Sequence, residues 1–188
     1  EAGVLGADDR VELIEGALIE MAPIGSRHAS AVDELNRRLT RACPEAYRVR
    51  VQNPLRLDER TEPQPDVAVV HDRADRYTAA HPGPADTVLV VEVADTTAVY
   101  DRHVKVPLYA QAGIAEVWLV DLEEGTVTVF REPRVGGYAQ VREARAKETL
   151  QPAACPEVAI PVARLLPPVA APGQRSLGDA QRNPGGGA

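Results

Sequence analysis

Glu92 stands in the middle of VLVVEVA, residues 88–94, among side chains that alternation along a strand would bury. A buried carboxylate with no partner is costly, so it is expected to be protonated, paired or bound to a cation. The plain alternative is an edge strand with Glu92 facing water. Asp66 opens a second apolar run, DVAVV at 66–70, directly after Pro65. Alone it reads as an ordinary strand-start aspartate. Taken together, two carboxylates on neighbouring strands can converge on one divalent cation. Mg²⁺ suits such a pair because it takes oxygen ligands, one or two of them carboxylates, and keeps several waters; Mn²⁺ accepts similar donors. Lys105 follows Glu92 by thirteen residues. Lys105 and Lys147 are the only lysines among 21 basic residues, the rest being Arg. A chain that uses Arg almost everywhere keeps Lys where a compact, tunable point charge is needed. Cation and lysine together suit phosphodiester hydrolysis.

The elements that must position these groups are legible from pattern. VELIEGALIEMA at 11–22 reads as a hairpin turning at Glu15-Gly16. From His28 to Ala42, Val32, Leu35 and Leu39 recur at helical spacing. Residues 47–57 alternate around Pro54, an edge strand or two pieces. The polar stretch 71–86 predicts a surface loop with a short helical turn. Residues 88–94 predict a strand buried on both faces. Asp101 to Ala112 predicts a helix ended by Gly113, with Pro107 making it kinked or late to begin. Strands follow at 116–121, 126–131 and near 138–142. Hairpin, helix, strands, helix, strands gives an α/β domain over 8–166, a central mixed sheet with helices against it. Residues 167–188 are Pro/Gly-rich without apolar periodicity and predict a disordered tail.

Composition sets outer limits. The 188 residues are 44% hydrophobic and 26% charged, ordinary for a globular chain. No run approaches the roughly 18 apolar residues of a membrane span. Cys43 and Cys155 are too few for a disulfide framework or a cysteine zinc site. The cytoplasm is the expected location. A formal net charge of −7 argues against broad non-specific nucleic-acid binding.

Five segments resemble the Uma-two family of restriction endonucleases, within the PD-(D/E)XK nuclease superfamily. They are VELIEGALIEMAP, GSRHASAV, VQNPLRLDERTEPQPDVAVV, LVVEVADTT and YDRHVKVPLYAQAGIAEVWLVD. The resemblance implies a restriction-endonuclease-like core and Mg²⁺-dependent cleavage of DNA. Asp66 and Glu92 would be the metal ligands and Lys105 the active-site lysine. Two residues after Glu92, where the superfamily pattern carries its lysine, this chain has Ala94; Lys105 in DRHVK on the next helix fits a migrated lysine. Glu12 is a candidate extra acid at the metal site, an exposed hairpin glutamate being the alternative. His28 is a candidate contact to site or substrate, or a helix-start residue. Gln52 is a candidate near the scissile phosphate. Asp101 is expected to pair with Lys105 if one helix carries both, Tyr109 to pack beside it, and Trp118 to lie in the core. A homodimer suits double-strand cutting. Two other readings stay open: a catalytically silent nuclease-fold module that binds nucleic acid or another partner, and a metal-dependent hydrolase of small phosphoesters.

Overall fold

The structure, a computed structural model, describes residues 10–166. The stretch 167–188, expected to be a tail, lies outside the described residues. Strands β1 (Val11–Ile14) and β2 (Ala17–Glu20) form the hairpin read from the sequence. Glu15 and Gly16, φ +50° and +87°, make its two-residue turn, both in the left-handed region such hairpins require. Helix α1 (Ser26–Ala42) buries Ala31, Val32, Leu35 and Leu39 and leaves its arginines outward.

Six strands form the central sheet: β3 (Tyr47–Val51), β4 (Val67–His71), β5 (Thr87–Ala94), β6 (Glu116–Asp121), β7 (Thr126–Arg134) and β8 (Gly137–Arg145). They lie side by side in chain order, and only β5 and β6 are parallel. A parallel pair needs a crossover. The chain between them supplies it as α2 (Ala98–Tyr100), a π-helical turn at Asp101–Lys105 and α3 (Val106–Gln111). A short β9–β10 pair (Thr149–Leu150 with Ile160–Pro161) and α4 (Val162–Leu165) complete the fold. Among the described residues no helix is long and apolar enough to cross a membrane.

Two cores sandwich the sheet. On one face α1 and α4 pack over Val67, Val69, Leu89, Val91, Val93, Trp118 and Val120. On the other, α3 packs Val106, Tyr109 and Ala110 over Val90, Ala94, Val117 and Leu119. Trp118 is a core residue, as its pattern predicts, and β5 is central rather than an edge. The fold class is therefore α/β with a mixed sheet flanked by helices.

The helix predicted from Asp101 differs from the observed one. It begins at Ala98 and runs without a break through the π turn, where Val106 N–H donates to Asp101 O. Pro107 has no N–H for the following ladder position, so the wider turn falls where the α-helical ladder is already interrupted.

Candidate active site

Asp66 is the residue before β4, and β4 pairs with β5 so that Val67 lies opposite Val91. Extending that register by one residue in each direction sets Asp66 against Glu92. Both line one cavity of about 490 Å³, together with Glu12, His28, Asp101 and Lys105. The hairpin and the segment after it add Ile19, Met21 and Ile24 to the lining, beside charged Arg10 and Glu20.

The polar groups in this cavity come from several elements, Asp101 and Lys105 both from the π turn. Glu92 on β5 is 2% exposed. Its Oε1 accepts from the Tyr109 hydroxyl at 2.6 Å and faces Lys105 Nζ at 3.3 Å. Lys105 Nζ also donates to Glu12 Oε1 at 2.8 Å, and that same oxygen accepts the Gln64 N–H at 2.7 Å. Asp66 Oδ1 accepts from Gln52 Nε2 at 3.2 Å and His28 Nε2 at 3.0 Å. Its Oδ2 accepts the Val93 N–H at 2.8 Å. Asp101 Oδ2 accepts from Thr97 Oγ1 at 2.7 Å.

Protonation follows from burial and charge. Burial pushes Glu92 up to about 8; Lys105 opposes this, while Asp101, Asp66 and Glu12 add to it. Burial acts to lower the Lys105 ammonium, but Glu92, Glu12 and Asp101 outweigh it, so Lys105 is raised and stays charged. The hydrogen bond to Asp66 raises His28 against an opposing burial effect. Burial also raises Asp101 and Tyr109.

The donor set can be tested against a cation. Among the described residues no group of three or more His, Cys, Asp and Glu side chains is arranged as a ready metal cage. Mg²⁺ does not need one, because it is held by one or two carboxylates and retains its waters. Both contacts on Glu92 engage Oε1, which leaves Oε2 uncommitted among the described residues. A cation near that carboxylate would also remove the cost of ionising it in a buried place. The residues fit a hydrated, oxygen-bound ion of the Mg²⁺ or Mn²⁺ kind.

A profile of the Uma2 family, described as "Putative restriction endonuclease", matches residues 4–163. The chain belongs to the Uma2 family. Among solved structures, a putative nuclease belonging to DUF820 from Anabaena variabilis ATCC 29413 superposes with a TM-score of 0.64. The two sequences are 17% identical, and the match covers 82% of this chain and 88% of that one. At that identity the likeness shows a shared fold and nothing more. No curated protein matches the chain.

In this Uma2 chain every candidate from the sequence lies at or beside one site. Asp66, Glu92, Lys105, Glu12 and His28 line the cavity. Gln52 stands behind Asp66 and touches it. Glu12 is buried and ion-paired, so the exposed-hairpin alternative is excluded. The expected Asp101–Lys105 pair is not formed. Lys105 pairs with Glu12 and Glu92, because the π turn and the packed hairpin bring those carboxylates closer. Tyr109 does more than pack. Sequence reasoning placed it on the Lys105 face but missed its hydroxyl on Glu92. The Val93 and Gln64 amides carry no side-chain signal and were not readable in advance.

Proposed function

We propose that this Uma2 chain is a Mg²⁺-dependent DNA endonuclease, with Mn²⁺ as an alternative ion. The observation that supports it is the convergence of Asp66, Glu92 and Lys105 on one cavity from three separate elements. In the reaction a water adds to phosphorus and one P–O ester bond breaks, leaving a phosphate end and a hydroxyl end. Asp66 and Glu92 would hold the ion, which supplies Lewis-acid polarisation of the phosphoryl group and an activated water. Lys105 contributes a fixed positive charge, set by Glu12 and Glu92, beside the phosphate oxygens. One such site per chain cuts one strand, so a homodimer is the arrangement proposed for double-strand cutting.

The test is plasmid cleavage in Mg²⁺ or Mn²⁺ by the parent, Asp66→Ala and Glu92→Ala, with melting temperatures measured in parallel. The parent should nick and linearise, and both variants should fall to background while remaining folded. Undiminished cleavage by both variants would refute the assignment. DNA binding by a parent that never cuts would favour the silent binding module.

A further inference from the structure

Gln52 follows edge strand β3 with φ +50°, in the left-handed region that glycine or asparagine enters with less strain. Its N–H donates to the Asp66 carbonyl at 3.1 Å, extending the β3–β4 ladder by one bond. The next residue, Asn53, precedes Pro54, which confines it to extended backbone. Leaving the strand here thus calls for a positive φ, and glycine would meet that need. What glutamine adds is an amide long enough to reach Asp66 Oδ1 at 3.2 Å.

That oxygen receives a second donor from another direction. His28 Nε2, on the first turn of α1, lies 3.0 Å from Oδ1. The Val93 amide of β5 takes Oδ2 at 2.8 Å. An ionised carboxylate has about four lone-pair sites. Gln52 and His28 occupy two of them on Oδ1 and Val93 one on Oδ2, leaving one on Oδ2. Three donors from β5, α1 and the end of β3 permit the carboxylate a single orientation, and Asp66 lines the cavity in that orientation.

We propose that Gln52 and His28 are positioning residues that confine Asp66 to one orientation, so that it meets a divalent cation through a single Oδ2 lone pair. This rests on the reading of Asp66 as a metal ligand. Partners behind a ligand typically change metal affinity by about 10–100-fold, and the backbone at Gln52 gives the test its sign. Glycine relieves the positive φ while deleting the amide. The metal-free full chain is therefore titrated with Mn²⁺ by calorimetry and melted in EDTA, as parent, Gln52→Gly, His28→Ala and His28→Gln.

Gln52→Gly should melt at or above the parent temperature yet bind Mn²⁺ about tenfold or more weakly. His28→Ala should weaken binding similarly, and His28→Gln, which keeps an N–H donor, should recover part of the loss. Equal Mn²⁺ affinity in parent and Gln52→Gly overturns the proposal. So does a Gln52→Gly variant that loses stability and affinity together, since Gln52 would then serve the fold. A parent that binds no Mn²⁺ overturns the metal-site reading as well. A parent that binds and cleaves beside variants with unchanged affinity overturns only the positioning role.

Discussion

Glu92 and Lys105 share a buried contact in which burial and charge oppose each other, and the balance gives the site its pH behaviour. Glu92 is held at about 8, well above its ordinary carboxylate value of 4.5. The sign follows from linkage: an acid raised in the folded state contributes stability below its unfolded pKa, and that stability is lost as pH rises through the folded value. The metal-free protein should therefore lose several kcal/mol of stability between about pH 4.5 and 8. Urea unfolding in EDTA across that range checks this, and Glu92→Gln should flatten the slope. An unchanged slope in Glu92→Gln would remove Glu92 as its source. Lys105 invites a different substitution. An arginine keeps the charge, but its wide planar head does not fit the point where Nζ meets Glu12 and Glu92. Misplacing a catalytic group by about 1 Å costs on the order of 100-fold in rate. Lys105→Arg should accordingly lose most cleavage, while exposed Lys147→Arg cuts like the parent; equal rates for all three would end the catalytic assignment. Residue types and local pattern pointed to Glu92 and Lys105. The hydroxyl of Tyr109, folded back onto Glu92, was not readable.

The crossover between β5 and β6 shows what an element adds to its residues. Its helical character, its glycine stop at Gly113 and the troublesome Pro107 are all legible in one dimension. The π turn is not, because it depends on where an unbroken helix can accommodate a missing donor while both Asp101 and Lys105 reach one cavity. A π turn amounts to one extra residue in an α-helix. His103 lies within it and is exposed. Deleting His103 should restore the α ladder and leave Asp101 and Lys105 three residues apart rather than four, shifting their side chains relative to one another inside the turn. We expect a circular dichroism spectrum close to the parent's and cleavage at background. A deletion variant that still cuts would show that the turn does not set the site.

At the scale of the whole molecule the charge distribution is the constraint. The chain carries a formal net charge of −7. The cavity wall holds Glu12, Glu20, Asp66, Glu92, Asp95 and Asp101 against Arg10, His28 and Lys105. A polyanion approaching this surface meets repulsion unless divalent ions are bound. DNA affinity, read by fluorescence anisotropy, should therefore rise at least tenfold when Ca²⁺, an oxygen-seeking ion, replaces EDTA. It should then weaken steeply with added salt. Equally tight binding in EDTA would place the DNA contacts elsewhere on the molecule.

Periodicity is a local property, so α1, most strands of the central sheet, the buried character of VLVVEVA and the anomaly of Glu92 within it were legible along the chain, whereas the short β9–β10 pair was not. The Uma2 segments likewise lie in order along the chain, and they put Asp66, Glu92 and Lys105 forward together as candidates. Pairing is a different kind of fact. Lys105 meets Glu12 across 93 residues, Tyr109 reaches Glu92 across 17, and Gln52 meets Asp66 across 14. These contacts come from folding in three dimensions, because a hydrogen bond depends on distances of about 3 Å, which are set by the register of β3, β4 and β5 and by the packing of the hairpin and helices around them.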